Sequence, residues 1–267
     1  MKQNRGLLIV AFILIIAVFG VIFLFQALNS FGGDSNKIVI EDGSFTNIDV
    51  LSDNASVEII PTNELTTTVE YIDKKGKNSK VDLRANVKKE TLTVTLKKKR
   101  WFTLNFDFSF SKKELLIKVP EKQYENIIAN NDNGQIKLTN MDARDISFDT
   151  DNGTIELKNV DASSINVETD NGKIILEEVT GNIIGKTDNW QITLITTDLE
   201  HQIELTTDNG RIEINTKNEP TNVTIDAKTD NGKIDVFGAK NEHTVFGKGN
   251  NLIKLKTDNG RITVTKR

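Results

Sequence analysis

The chain has 267 residues with 34 lysines and arginines against 38 aspartates and glutamates, a formal net charge of −4 that argues against a general nucleic-acid binder. It contains no cysteine, which excludes disulfides, thiol catalysis, thiolate metal sites and a lipid attached to a cysteine. Once an N-terminal apolar stretch is set aside, enough chain remains to bury a sizeable core.

That stretch, Gly6 to Leu28, reads GLLIVAFILIIAVFGVIFLFQAL, without a charge and with only Gln26 strongly polar. At about 1.5 Å per residue a helix of this length spans a hydrocarbon layer of about 30 Å. Lys2 and Arg5 precede it and Asp34 is the first charge after it, so residues 1–5 are expected in the cytoplasm and the rest outside. A cleaved signal peptide is the competing reading. The run exceeds the roughly 7–15 residues of a signal core and no A-x-A site follows, so an uncleaved anchor over 6–28 is expected, then a linker over 29–45.

Residues 46–267 are expected to form one extracytoplasmic β domain. Its first unit is degenerate, with Ile48, Val50, Asp53, Asn54, Val57 and Ile59 at the offsets that define the repeat further on, and Ala55 in place of a glycine. Residues 61–122 break the period and read as strands such as TTTVEYI, TLTVTL, LNFDFSF and ELLIKVP, an insertion or cap. Within them Lys97, Lys98, Lys99, Arg100, Trp101 and Phe102 set a basic run beside aromatics. Such a run suits an anionic lipid headgroup or a phosphate-rich wall polymer, and equally a charged loop covering the end of a stack.

From residue 123 a repeat takes over, carried by the turns Asp132-Asn133-Gly134, Asp151-Asn152-Gly153, Asp170-Asn171-Gly172, Asp208-Asn209-Gly210, Asp230-Asn231-Gly232 and Asp258-Asn259-Gly260. A variant Asp188-Asn189-Trp190 stands among them. The intervals between the aspartates are 19, 19, 18, 20, 22 and 28 residues. Isoleucine stands five residues before every Asp and again four residues after it, with period-two alternation on both sides. Asn-Gly between alternating strands also signals a hairpin, so an antiparallel meander is one solution. Near-identical inward columns favour the other, a β-solenoid of about eight rungs in which isoleucine stacks on isoleucine. Asn250 to Arg267 reads as the last rung, with Lys266 and Arg267 blunting its edge.

The turns admit two readings. An Asp repeated once per rung forms an acidic stripe that could hold calcium. Against this, the G-G-x-G-x-D-x pattern of calcium solenoids is absent, and Lys173, Arg211, Lys233 and Arg261 are placed to offset the stripe. The structural reading is that Asn and Gly supply left-handed backbone for a tight corner. No metal, cofactor or catalytic residue is expected: every rung carries the same Asp, and His201 and His243 lie far apart without partner motifs. A sugar-cleaving β-helix stays open as an alternative, since stacked carboxylates mimic a retaining glycosidase pair. Trp190, where a corner glycine should stand, is a candidate contact point.

The anchor, the strand Glu114 to Pro120 (ELLIKVP) and the recurrent Thr-Asp-Asn-Gly-x-Ile-x-Leu units resemble the bacterial putative adhesin family. Within that family the chain is similar to membrane-anchored members encoded beside a cell-envelope-stress two-component system in Firmicutes. The resemblance implies a β-solenoid at the cell surface, anchored by one span in the cell membrane, with binding or scaffolding as its role and no catalytic residues. Its partners would be the membrane, an anionic lipid or wall polymer, or membrane proteins of envelope stress such as a sensor kinase that it serves as an accessory.

Overall fold

The structure, a computed structural model, describes residues 37–73, 81–98 and 113–267. The apolar segment 6–28, its flanks 1–5 and 29–36, and Lys99, Arg100, Trp101 and Phe102 lie outside the described residues. Among the described residues all regular structure is strand, and no helix is long and apolar enough to cross a membrane. The N-terminal strands are β1 (Lys37–Ile40), β2 (Asn47–Ser52), β3 (Ser56–Thr62), β4 (Thr67–Asp73), β5 (Val81–Lys88), β6 (Thr91–Lys98) and β7 (Lys113–Pro120). Long strands follow as β8 (Gln123–Asn133), β9 (Ile136–Asn152), β10 (Ile155–Thr169) and β11 (Ile174–Thr187). The rest are β12 (Ile192–Thr196), β13 (Ile203–Thr207), β14 (Ile212–Thr216), β15 (Val223–Thr229), β16 (Lys233–Val236), β17 (His243–Phe246), β18 (Asn251–Thr257) and β19 (Arg261–Lys266).

Pairing is parallel and in register from rung to rung, which decides for the solenoid. Ile48 pairs with Ile127, Ile127 with Ile146, Ile146 with Ile165, Ile165 with Ile183 and Ile183 with Ile203. The isoleucines after the turns stack in a second column through Ile136, Ile155, Ile174, Ile192 and Ile212. Both columns are buried, so each side chain is covered above and below by one of its own shape. A two-residue Asn-Gly hairpin turn of type I′ would demand positive φ at both central residues, and no asparagine of the Asp-Asn-Gly turns has it.

The long strands reveal a third face. Along β9 the buried positions run Ile136 and Leu138, then Met141 and Ala143, then Ile146, Phe148 and Thr150. Each change of face skips two outward residues instead of one. At the first of these corners Asn140, Asn159 and Glu178 have φ of 55°, 51° and 48°, so the left-handed backbone sits there. The Asp-Asn-Gly turn is the remaining corner.

The order of rungs in space departs from their order in sequence at both ends. β6 stacks outside β2, with Leu92 on Ile48 and Val94 on Val50, and β7 stacks outside β3, with Ile117 on Ile59. Part of the stretch 61–122 is therefore a ninth rung position lying outside the first repeat, covered by β5 on β6 and by β4 on β7, both antiparallel. At the other end β18 lies between β13 and β15, and β19 between β14 and β16. The Asp258 rung is thus inserted between the Asp208 and Asp230 rungs and is not terminal as expected. Lys266 and Arg267 blunt no edge: Arg267 N–H donates to the Thr216 carbonyl at 3.0 Å, and its guanidinium pairs with Glu178. The outermost rung is that of Asp230, covered on β15 by antiparallel β17.

Candidate functional site

The surface that repeats most faithfully is the turn strip. Its central asparagines form a continuous ladder in which each Nδ2–H donates to the Oδ1 of the neighbouring rung: Asn133 to Asn54 at 3.0 Å, Asn152 to Asn133 at 3.1 Å, Asn171 to Asn152 at 3.1 Å and Asn189 to Asn171 at 2.9 Å. It continues through Asn209, Asn259 and Asn231 at 3.1, 3.0 and 3.0 Å. The amides are consumed by one another, so the ladder holds the strip flat and fixes its pitch. Under it four of the threonines that precede an Asp donate to the carbonyl of an adjacent turn, at 2.8–3.1 Å: the buried Thr169 to Gly153, Thr187 to Gly172 and Thr257 to Gly210, and the half-buried Thr229 to Gly260.

The glycines of this strip are required for space more than for conformation. Only Gly134 among them has positive φ, at 131°. A Cβ on Gly172 would lie 1.5 Å from the Gly153 carbonyl oxygen, and one on Gly153 1.8 Å from that of Gly134. Rungs approach here as closely as backbones allow, which corrects the expectation of left-handed corners at the Asp-Asn-Gly turns.

The acidic stripe runs beside the ladder through Asp132, Asp151, Asp170, Asp188, Asp208, Asp258 and Asp230, and of the four cations expected to offset it Lys173 and Arg211 are engaged elsewhere. Lys173 Nζ lies over the Trp190 ring, 5.5 Å from its centroid, and Arg211 donates to Gln191 and pairs with Glu213. Lys233 and Arg261 line an open depression of about 550 Å³ with Asp235 and Glu242. Lys256 pairs with Asp258 of the stripe at 3.3 Å, and on the outward faces of the strands Lys186 pairs with Glu168 at 2.7 Å and Lys158 with Glu177 at 2.8 Å. Asp149 is held above the usual carboxylate range, first by partial burial and then by Glu168, Asp151 and Asp170 around it. Among the described residues no cluster of His, Asp or Glu is arranged to hold a metal ion. His201 lies 3.8 Å from Asp198 and His243 2.5 Å from Asp226, at separate places.

Trp190 interrupts the strip. It is 50% exposed, and its carbonyl still accepts from Thr207 Oγ1 at 3.0 Å, so its backbone keeps its place while the indole stands out. The described part of the basic run is remote from it: Lys97 and Lys98 are exposed at the end of β6, where Lys98 N–H donates to Asp53 Oδ2 at 3.2 Å. Lys97 and Lys98 are not brought together with Trp190. One cluster escaped the sequence reading: Lys122 Nζ donates to the Gly43 and Phe45 carbonyls at 2.6 and 2.5 Å and lies over the Phe45 and Tyr124 rings. Burial lowers this ammonium's proton affinity while Asp42 opposes the shift, and burial pushes the Tyr124 phenol far up, its hydroxyl donating to the Pro120 carbonyl. Its parts are too far apart in sequence to form a motif, and it pins the entry of the chain to the side of the stack.

Residues 45–181 and 123–265 each match the family model of Toastrack DUF4097 domains. No curated protein matches the chain. Among solved structures it is similar to a "putative cell adhesion protein" from Clostridium sporogenes ATCC 15579, at 16% identity and a TM-score of 0.37, over 86% of this chain and 99% of that one. It is also similar to a "putative adhesin" from Bacteroides fragilis NCTC 9343, at 12% identity and a TM-score of 0.45, over 86% of this chain and 96% of that one.

Proposed function

The chain belongs to the Toastrack DUF4097 family, and from that premise we propose that it is a binding or scaffold protein of the bacterial cell envelope, held at the outer face of the cell membrane by residues 6–28. The observation that supports this reading is the asparagine-braced strip, broken once by Trp190. Its rungs repeat about every 4.8 Å, so a linear ligand meets the same groups at each step. The ligand class that fits is a wall polymer: a sugar ring can stack on the open indole face, and Lys173 beside it can meet an anionic substituent. The resemblance to members encoded beside an envelope-stress two-component system supports extending the proposal to the response to wall or membrane damage.

The test is retention of the purified protein on wall polymers and on anionic liposomes. Trp190→Ala is expected to lose polymer retention while keeping the wild-type melting temperature. Equal retention of wild type and Trp190→Ala refutes the strip as the contact, and loss in Lys97→Ala/Lys98→Ala alone moves it to the end of the stack. Hydrolysis of a wall glycan that disappears in Asp170→Asn but survives in Asp151→Asn overturns the non-enzymatic reading.

A further inference from the structure

The rung formed by β18 and β19 reaches its place by an unusual route. Each strand pairing that ties the Asp230 rung to the body of the stack passes through it, because β15 pairs with β18 and β17, and β16 with β19. Yet this rung is joined to the preceding chain only through residues 247–250, which cross the start of β15. Phe246 on the outer side of β15 and Asn251 on its inner side are both in register with Val223. The crossing is tight: Gly247 and Gly249 have φ of 60° and 68°, and a Cβ on them would lie 2.0 Å from the Thr221 carbonyl oxygen and 2.4 Å from Thr224 Oγ1. A short connection of this kind invites exchange of the element it carries.

The slot itself reads a rung and not its connection. Thr257 and Asn259 bond to Gly210 and Asn209 on one side, and Thr229 and Asn231 bond to Gly260 and Asn259 on the other, all at 2.8–3.1 Å. These are the bonds that sequential rungs make, and none depends on which molecule supplies the segment. We propose that residues 250–267 are an exchangeable rung, and that the slot between the Asp208 and Asp230 rungs accepts this segment from a second copy, giving a reciprocal dimer. The hinge straightens in the exchanged form and every stacking bond is remade. Exchange competes with the intramolecular rung when the protein approaches the effective concentration of a short tether, on the order of millimolar, a level that confinement to a surface favours.

The absence of native cysteine allows a direct test. Glu204 and Lys254 are exposed cross-rung neighbours paired in register across the slot. Ser147 and Asn166 are their counterparts on β9 and β10, where no exchange is possible. Full-length Glu204→Cys and Lys254→Cys proteins are mixed at high concentration, oxidised and mapped by peptide mass. The expected result is a 204–254 disulfide linking two chains, with no linked dimer from the control mixture of Ser147→Cys and Asn166→Cys. A linked yield no greater than the control overturns the proposal. In a double variant, Glu204→Cys/Lys254→Cys, oxidised in dilute solution, the internal disulfide is expected to abolish dimer formed on later concentration, and a dimer that persists overturns it as well.

Discussion

At the residue scale the turn glycines separate two demands that a sequence does not distinguish. Gly172 has no positive φ but no room, whereas Gly238 has φ of 86° with nothing within 4 Å of its missing Cβ. Gly172→Ala is expected to destabilise the protein by about 3 kcal/mol through overpacking, and Gly238→Ala by about 1 kcal/mol through backbone strain alone. Trp190 stands at the equivalent place with its carbonyl still bonded to Thr207, so a turn can carry a side chain and the first figure reflects local repacking and not loss of the fold. Denaturant unfolding of the two variants checks the order, and a larger loss at Gly238 would refute the steric account. The spacing of the repeats was legible in the sequence because Asp, Asn and Gly recur at fixed offsets. The reason for the glycine was not, because the carbonyl that excludes a side chain belongs to another rung.

At the scale of single strands, legibility followed periodicity. The two isoleucine columns stand at fixed offsets from each Asp and were read correctly, and stacking them favoured the solenoid over the hairpin meander. The third face, Met141 and Ala143 on β9 or Val160 and Ala162 on β10, is only two buried residues long and was lost in the change of phase at either side. The outward face of β9 to β11 carries a testable consequence. Asp149 faces Glu168, Asp151 and Asp170, while Lys186 is engaged by Glu168. A carboxyl whose proton affinity is raised by folding opposes folding while ionised, and that opposition fades as pH falls through its folded pKa. Asp149→Asn should therefore raise the melting temperature at neutral pH. The gain should shrink through the mildly acidic range and vanish below the ordinary carboxylate value of about 3.9. A gain that persists unchanged at low pH would show that the effect is not electrostatic.

At the scale of the whole molecule the stack behaves as a one-dimensional array, and its ends are where neighbours run out. The interleaving of rungs at both ends was not legible, because a copy's position in the sequence says nothing about which rung it lies against: the Asp258 unit looks terminal until β18 is found between β13 and β15. The asparagine ladder makes this order chemically readable. An Asn-Gly pair deamidates when the glycine nitrogen attacks the asparagine Cγ, expelling ammonia to form a succinimide that water then opens. The reaction needs the side-chain amide free to rotate. Asn152, Asn171 and Asn259 each donate to one rung and accept from another, so both sides of the amide are held. Asn231 donates to Asn259 but receives no ladder bond from a further rung, and the opposite end of the ladder, Asn54, is followed by Ala55, whose side chain hinders the attack. On ageing at mildly alkaline pH, peptide mass mapping should find conversion of Asn231 first and the interior asparagines slow, Asn259 among them although it is last in the sequence. Early conversion of Asn259 together with Asn231 would mean that the inserted rung spends much of its time outside its slot, and conversion spread evenly over all the turns would mean that the ladder does not restrain its amides.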